Sequence, residues 1–268
     1  MFSVVIVTYN PSETLLRFVD ELFTVDGIQI IIVDNASSSF DFSTVMDKVK
    51  LIRLKFNEGI AKAQNIGVEY STKNEIFFFD QDSFISAKSL IGILEYKKIN
   101  NNVNFGVIAP FVDKLAIKDK YIYEASDVFI DTDIIQSSGC LISKDVYLAM
   151  GGMDEKLFID CVEYDFHFRL RASGYKNLIL KNIKMKHEFG KPGVKRNNKE
   201  YVRHTPIRYF YSSRNGVFLA RQGYIPRRYR ADFALSFLRG IKSLLLNGSL
   251  SIKSYFYCFK GFFYGLFL

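Results

Sequence analysis

The chain has 268 residues, of which 49% are hydrophobic and 24% charged, so it can bury a sizeable core and is not an intrinsically disordered chain. Its three cysteines fit neither a zinc site nor a disulfide framework, which favours buried thiols in a reducing compartment. The net charge of +8 is divided unevenly. Residues 1–170 contain 16 Lys/Arg and 25 Asp/Glu, whereas residues 171–268 contain 20 and 3, which indicates an anionic partner: nucleic acid, a membrane surface or a phosphorylated substrate.

Apolar runs alternate with helical patterns over the first 110 residues. Phe2–Val7 is a continuous apolar run typical of a strand buried on both faces. No basic segment precedes it and no cleavage site follows, so we expect no signal peptide. Further strands are predicted at 28–33, 51–54, 75–79 and 105–109, and helices from Pro11 and over 58–70 and 88–96. This alternation predicts βαβ units and a mostly parallel sheet, an α/β fold.

Beyond residue 110 the pattern is less regular. Short strands and turns are predicted over 120–138, with a loop at 137–139, a helix over 162–172, a strand-like run over 182–186 and a mobile basic loop over 188–204. From Ala231 onward the chain is helical and very apolar. Because Lys253 and Lys260 interrupt the last 20 residues, an in-plane amphipathic helix is favoured over a membrane span. A terminal helix packed on the body and a dimer contact are the alternatives.

Polar side chains follow each of the first four predicted strands. Ligands of doubly wound sheets bind beyond the carboxyl ends of the strands. The Asp34 carboxylate can accept hydrogen bonds from a base or ribose, and Gly59 and Ala61 leave room for an anion near a helix N-terminus. Taken singly, the motif after the second strand is more typical of an ordinary turn, and Gly59-Ile60-Ala61 of an ordinary helix start. The residues at the strand ends are Thr8-Tyr9-Asn10, Asp34-Asn35, Asn57 to Ala61, and Asp80-Gln81-Asp82.

Two acidic clusters are candidate chemical groups. Asp80 and Asp82, separated by one residue after an apolar strand, can hold Mg²⁺ or Mn²⁺, which prefer oxygen ligands, although a solvated turn with a helix N-cap has the same pattern. His187 would suit such a site. Asp160, Glu163 and Asp165 surround the start of a predicted helix, where acids serve as caps or, in a cleft, as a general base.

The order of these motifs resembles the family-2 inverting glycosyltransferases of GT-A fold, over residues 2 to about 190. The Asp-Gln-Asp-Ser form looks like the rhamnosyltransferases of bacterial O-antigen and lipopolysaccharide biosynthesis. The motifs that carry the resemblance are Val4–Asn10, Val33–Ser37, Asn57–Ala61 with Asn65, Asp80–Ser83, Gly151–Asp154 and Glu163–Asp165.

The resemblance implies a role for each matched residue. Glu163 would be the base that deprotonates the acceptor, with Asp165 and Asp160 as fallbacks, because many relatives have Glu-Asp where this chain has Val162-Glu163. The implied metal ligands, for Mg²⁺ or Mn²⁺, are Asp80, Asp82 and His187. The implied nucleotide-sugar ligands are Thr8, Tyr9, Asn10, Asp34, Asn35, Asn57, Gly59, Ala61, Asn65, Asp80 and Gln81.

The resemblance also implies dTDP-L-rhamnose as donor and a polyprenyl-diphosphate-linked saccharide as acceptor, so we expect a peripheral protein on the anionic cytoplasmic face of the bacterial inner membrane. The predicted domains are 1–220, with a nucleotide half to about 110 and an acceptor half from 111, and a basic, apolar helical tail at 221–268. Basic residues that could contact the diphosphate or the lipid pyrophosphate are Lys191, Lys195, Arg196, Arg203, Arg208 and Arg214.

Three other functions stay open at this point. Another sugar, such as galactofuranose, glucose or galactose, could be transferred. An inactive sugar-nucleotide-binding module would have the same nucleotide motifs. A nucleic-acid-binding protein would use the basic tail, with affinity falling steeply with salt. It offers no reason for Asp80-Gln81-Asp82, so we expect no nucleic-acid partner.

Overall fold

The computed structural model describes residues 1–112, 122–187, 194–196, 199–201, 204–248 and 251–268. These residues form two compact units. Unit 1 comprises Met1–Glu155 and Phe166–Glu188, and unit 2 comprises Lys156–Asp165 and Phe189–Leu268. The prediction of a loop over 188–204 is wrong for 194–196 and 199–201, which form two short antiparallel strands. Residues 188–193, 197–198 and 202–203 of that range lie outside the described residues.

Unit 1 contains the α/β elements that the sequence predicts. All predicted strands and helices of the first 110 residues are present, with ends that shift by at most three residues. The elements are β1 Phe2–Thr8, α1 Thr14–Phe23, β2 Gln29–Asp34, β3 Lys50–Arg53, α2 Gly59–Glu69, β4 Glu75–Asp80, β5 Ser83–Phe84, α3 Ala87–Ile99, β6 Phe105–Phe111, β7 Ile122–Ala125, β8 Phe129–Thr132, β9 Cys140–Ser143, α4 Lys144–Ala149, β10 Lys176–Lys184 and β11 Lys186–His187. Helix α5, Val162–Ala172, contributes its first turn to unit 2 and the remainder to unit 1.

A nine-stranded sheet in the order β3-β2-β1-β4-β9-β6-β10-β8-β7 organises unit 1. Strands β1 to β4, β6, β7 and β10 run in one direction, and β8 and β9 run against them. The predicted α/β class is therefore confirmed. Because β1, β2, β3 and β4 are neighbours and parallel, their carboxyl ends meet at one edge of the sheet.

The core of unit 1 lies between this sheet and helices α1 and α3. Helix α1 directs Leu15, Phe18 and Leu22 into the core at helical spacing. The Phe18 ring contacts Phe79 of β4 edge to face at a centroid distance of 4.8 Å. Strands β1 and β4 are buried almost throughout, as their continuous apolar sequences predict.

Unit 2 is mainly helical. Its elements are β12 Val194–Arg196, β13 Lys199–Tyr201, α6 Pro206–Ala220, α7 Arg227–Ala234, α8 Ser236–Leu246 and α9 Ile252–Phe267. Tyr209 of α6, Leu244 of α8 and Cys258 of α9 form its buried apolar cluster. In the described part of the chain, no helix combines the length and apolarity that crossing a bilayer requires.

His167 on α5 is a buried histidine of unit 1 with a structural partner. Its Nδ1 atom accepts a hydrogen bond from the Ile135 backbone N–H at 3.3 Å, so the ring is neutral. Burial, reinforced by the positive charge of Arg171, lowers the pKa of His167 to about 3. An unfolded histidine has a pKa near 6.5. Between pH ~6.5 and pH ~3 the unfolded chain therefore binds a proton at His167 that the folded chain does not bind.

This difference predicts an acid-sensitive contribution to stability. Its full value is present above pH ~6.5, and it falls toward pH ~3 by about 1.4 kcal/mol per pH unit at most. His167→Gln keeps an acceptor for the Ile135 N–H and removes the titration. We expect denaturant unfolding from pH 8 to 4 to give a flatter stability profile for the variant. Parallel profiles would contradict this origin of the acid sensitivity.

Candidate active site

The parallel strands bring three site residues of unit 1 to one sheet edge. Thr8 at the end of β1 pairs with Asp34 at the end of β2, and Asp80 at the end of β4 pairs with Val7. Adjacent strands lie about 4.8 Å apart, so these side chains are near neighbours. The loops that leave the strands at this edge form the candidate site.

Asp34 is fully buried and organises the first of these loops. Its carboxylate accepts hydrogen bonds from the Thr8 hydroxyl at 3.2 Å, the Ser37 backbone N–H at 3.2 Å and the Ser37 hydroxyl. Arg53 lies 3.4 Å away and supplies a positive charge. The Asp34 carboxylate therefore fixes the turn after β2, and its contact with a nucleotide stays a prediction.

Asn10 and Asn35 fasten the neighbouring turns. Asn10 adopts a left-handed backbone with φ of 49°, which asparagine tolerates, and its Oδ1 accepts from the Ser38 N–H at 2.9 Å. Asn35 Oδ1 accepts from the Glu58 N–H at 2.8 Å, which ties the end of β2 to the start of α2. At that start Gly59 has φ of 85°, a conformation that only glycine adopts without strain.

The N-terminus of α2 consequently lies beside the sheet edge. Asn57 Oδ1 accepts from the Gly59 N–H at 3.1 Å, and Ala61 is buried in the first turn. Small residues and the positive end of a helix dipole suit an approaching phosphate. The predicted group Asn57, Gly59 and Ala61 is thus brought together at one helix terminus.

Gln81 joins the Asp80-Gln81-Asp82 loop to the loop after β1. Its Oε1 accepts from the Tyr9 N–H at 2.6 Å, and its Nε2 donates to the Tyr9 carbonyl at 3.2 Å. The Gln81 side chain thus bonds both backbone groups of Tyr9, as a neighbouring strand would, across a sequence separation of 72 residues. Tyr9 keeps half of its side chain exposed beside this junction.

Ser138 fixes the same loop from the other side, a contact that the sequence analysis missed. Its hydroxyl accepts from the Asp80 N–H at 3.1 Å and donates to the Ser83 hydroxyl at 2.6 Å. Ser83 also pairs through its backbone with His187 in the β5–β11 ladder. The backbone of His187 therefore lies beside the Asp80-Gln81-Asp82 loop, here called the acidic loop. The side chain of His187 is outside the described residues.

The donor chemistry of this loop fits a divalent cation that also binds a diphosphate. Asp80 and Asp82 offer carboxylate oxygens from half-buried positions. Mg²⁺ is commonly held by one or two carboxylates together with substrate phosphates. Within the described residues, no cluster of three or more His, Cys, Asp or Glu side chains assembles a metal site.

Asn65 of α2 fastens the Gly152-Met153 segment within unit 1. Its Oδ1 accepts from the Tyr147 hydroxyl at 2.5 Å and the Met153 N–H at 2.9 Å. Its Nδ2 donates to the Met153 carbonyl at 3.0 Å and to Glu155 at 2.9 Å. Both amide hydrogens and both lone-pair positions are used, so its predicted role beside the diphosphate stays a prediction.

Lys156–Asp165 of unit 2, here called the acidic segment, has an unusual backbone. Phe158, Asp160 and Cys161 have φ of 62°, 64° and 65°, which is costly for residues other than glycine. Asn215 of α6 is buried, and its Nδ2 lies 2.8 Å from each of three carbonyl oxygens of this segment, which belong to Leu157, Ile159 and Asp160.

The three candidate bases occupy different surroundings in unit 2. Asp160 accepts from Arg208 at 3.1 Å, and Asp165 is buried and accepts from the Tyr224 hydroxyl. Glu163 is half-buried in the first turn of α5. Burial, together with the charges of Asp160 and Glu163, raises the pKa of the Cys161 thiol, so this cysteine is not a thiolate nucleophile.

Two of the six predicted basic contacts lie in the described part of unit 2. Arg208 bonds Asp160, and Arg214 donates to the carbonyls of Lys156 and Leu157. Both arginines therefore hold the acidic segment. The side chains of Lys191, Lys195, Arg196 and Arg203 fall outside the described residues.

Asn215 is expected to stabilise the strained segment. Asn215→Ala removes the donor that contacts the carbonyls of Leu157, Ile159 and Asp160, so we expect the free energy of unfolding to fall by about 1–3 kcal/mol. Ser212→Ala, on the same helix, is the matched control. Denaturant titrations measure both, and equal stabilities of the two variants would refute the role of Asn215.

Comparisons with known proteins agree with this architecture. The model of the family "Glycosyl transferase family 2" matches residues 3–141. The chain is 33% identical over 241 residues to "dTDP-rhamnosyl transferase RfbF" of Shigella flexneri, covering 83% of this chain and 80% of the relative. It is also 24% identical over 189 residues to an uncharacterized glycosyltransferase of Haemophilus influenzae, with 63% and 62% of the two chains covered.

Solved structures share the fold at low identity. The mannosyltransferase PcManGT of Pyrobaculum calidifontis, in complex with GDP-Man and Mn²⁺, superposes with a TM-score of 0.61 at 14% identity, covering 99% of this chain and 84% of that one. S. aureus TarS 1-349, in complex with UDP-GlcNAc, gives 0.60 at 13% identity, with 98% and 81% covered. This chain spans 44% of a longer TarS chain, with a TM-score of 0.58 at 14% identity.

The mixed sheet and its structural neighbours show a GT-A fold, and the family match and the 33% identical relative show a glycosyltransferase. The chain belongs to glycosyl transferase family 2. The predictions of family, fold class and enzyme class are confirmed.

Proposed function

We propose that the protein transfers L-rhamnose from dTDP-L-rhamnose, with inversion, to a polyprenyl-diphosphate-linked saccharide in O-antigen or related cell-surface polysaccharide synthesis. The observation that carries the donor is the 33% identity to a dTDP-rhamnosyl transferase over most of the chain. The acceptor and pathway are further steps of the same proposal.

The donor is proposed to bind at the sheet edge of unit 1. The diphosphate suits the N-terminus of α2, where Gly59 and Ala61 admit a close approach. The nucleoside is proposed to lie along Thr8, Tyr9, Asn10, Asp34 and Asn35. The support is their shared edge and the hydrogen bonds that hold these loops in one arrangement.

A divalent cation, Mg²⁺ or Mn²⁺, is proposed to be held by Asp80 and Asp82, with His187 close by. When bound, it would offset negative charge on the departing nucleoside diphosphate. Gln81 and Ser138 keep the acidic loop in register through the Tyr9 and Asp80 backbones. The support is the oxygen donor set and the ladder between Ser83 and His187.

Glu163 is proposed as the general base. As the acceptor oxygen attacks the anomeric carbon, the carboxylate takes the hydroxyl proton and the bond to the nucleoside diphosphate breaks. Asp165 and Asp160 are the fallback candidates, and their carboxylates accept hydrogen bonds from Tyr224 and Arg208. These two acids are proposed to shape the segment around Glu163.

An anionic membrane surface, the cytoplasmic face of the bacterial inner membrane, is proposed to carry the acceptor. Residues 204–268 contain ten Lys or Arg and one acidic residue, Asp232. Each basic residue near an anionic surface contributes about 1 kcal/mol of attraction. A peripheral enzyme with this charge would meet a lipid-linked acceptor where it resides.

Removing one carboxylate of the acidic loop tests the metal proposal. For Asp82→Asn we expect rhamnosyl transfer with Mg²⁺ or Mn²⁺ to fall about a hundredfold or more, because charge on the leaving diphosphate is less well offset. Asp47→Asn, an exposed acid of unit 1, should retain activity. Unchanged transfer by Asp82→Asn would remove the metal site from the proposal.

Replacing the base separates chemistry from donor binding. Glu163→Gln should lower kcat by about 10²–10⁴ and leave the affinity for dTDP-L-rhamnose unchanged, because the base acts on the acceptor. Single-turnover transfer and calorimetric donor binding measure the two quantities. A larger loss of kcat in Asp165→Asn than in Glu163→Gln would transfer the role to Asp165.

A panel of nucleotide sugars tests the donor. The true donor stabilises the folded enzyme by mass action, so dTDP-L-rhamnose should raise Tm more than UDP-galactofuranose, UDP-glucose or UDP-galactose at equal concentration. A greater rise with another nucleotide sugar would replace rhamnose in the proposal.

A further inference from the structure

Helix α9 carries its most apolar face outward. Its buried positions are small: Ser254, Cys258, Gly261 and Gly265. The opposite side presents large apolar side chains that are 47% to 88% exposed, and these define the outward face: Ile252, Phe256, Phe259, Phe263 and Phe267. The spacing of three or four residues places all five on one stripe of the helix.

Close packing on α6 explains why the small residues face inward. A Cβ at Gly261 or Gly265 would overlap the backbone carbonyl oxygens of Phe210 and Arg214 on α6. Arg221, the residue directly after α6, also donates to the Gly265 and Leu266 carbonyls near the end of α9. The rotation of α9 is therefore set by backbone contact, and the outward position of the phenylalanines follows from it.

A stripe of five exposed large apolar side chains is unusual on a water-facing surface and marks an interaction site. The neighbouring helix extends it, since Phe237 of α8 contacts Phe259 and Phe262, with centroid distances of 6.3 and 4.5 Å. Leu238 and Leu245 of α8 are also largely exposed. The surface formed by α8 and α9 can therefore bind a partner through its apolar side chains as well as through its positive charge.

Cationic side chains border the outward face along one side. Lys253 and Lys260 lie on the same flank of α9, and the Lys260 ammonium is 5.4 Å from the ring centroid of Tyr264 and 5.9 Å from that of Tyr257. Arg239 and Lys242 of α8 are exposed. Aromatic rings and lysines beside an apolar stripe match the boundary between acyl chains and anionic headgroups.

We infer that α9 inserts its outward face into the acyl region of an anionic lipid leaflet, lying parallel to the membrane plane, with Lys253 and Lys260 at the headgroups. The inference rests on the proposed function for the choice of a membrane as partner. A second copy of the chain fits less well, because α8 and α9 contain basic residues and no acidic residue, so two copies would bring like charges together.

Flotation of the full-length protein with vesicles tests the insertion. Phosphatidylglycerol–phosphatidylethanolamine vesicles should bind it, and phosphatidylcholine vesicles should bind it more weakly. Phe263→Ser should lower the partition coefficient about tenfold, from the lost burial of one phenylalanine. Phe23→Ser in unit 1 is the matched control: Phe23 is 58% exposed and Phe263 57%. Equal unfolding midpoints would exclude loss of fold.

Salt separates insertion from adsorption by charge alone. Lys253→Gln/Lys260→Gln should weaken binding at low salt, and a fraction of the native binding should persist at high salt, where charge attraction is screened. Complete release by salt, or binding of Phe263→Ser equal to native, would overturn the inference. Self-association abolished by Phe263→Ser, without vesicle binding, would identify a second copy as the occupant.

No donor or acceptor is present in these measurements. If the protein binds vesicles but transfers no rhamnose, the proposed function alone would therefore be refuted. Transfer to a water-soluble acceptor by a protein that does not bind vesicles would refute the insertion alone.

Discussion

In the described loops beyond the strand ends, carboxamide side chains accept hydrogen bonds from backbone N–H groups that lie outside the strands. Asn10, Asn35 and Gln81 accept from backbone N–H groups at the sheet edge, and Asn65 does so at Met153. An amide can donate and accept at once, which a carboxylate cannot, and Gln81 uses both capacities on Tyr9.

The strands and helices of unit 1 were predictable because their signals are local. A run such as Phe2–Val7 and a helical spacing such as Leu15, Phe18 and Leu22 report burial directly. The ends of those strands then located Asp34 and Asp80 at one edge. The fastening contacts were not predictable, since Gln81 bonds a residue 72 positions away and Asn65 one 88 positions away.

Asn65 has contacts that its motif does not predict. The resemblance groups it with Asn57, Gly59 and Ala61 as a neighbour of the diphosphate. It lies on the same helix, yet its carboxamide is engaged by Tyr147, Met153 and Glu155. Helix α9 is a second such case. Its sequence indicates an amphipathic helix, but the outward position of the phenylalanines follows from the contact of its glycines with α6.

Backbone strain in the acidic segment is balanced by contacts with the helices of unit 2, and this segment contains the proposed base, Glu163. Left-handed backbone at a residue such as Phe158 or Cys161 costs about 1–3 kcal/mol, and it persists only where surrounding contacts determine it. Asn215 and Arg214 of α6 supply those contacts, and the Phe158 ring stacks on Tyr211 of the same helix at 4.7 Å. Because α6 also packs against α9, the helix that holds the acidic segment is the one on which the outward apolar face rests. The conformation of the acidic segment and the orientation of α9 therefore depend on a single element of unit 2.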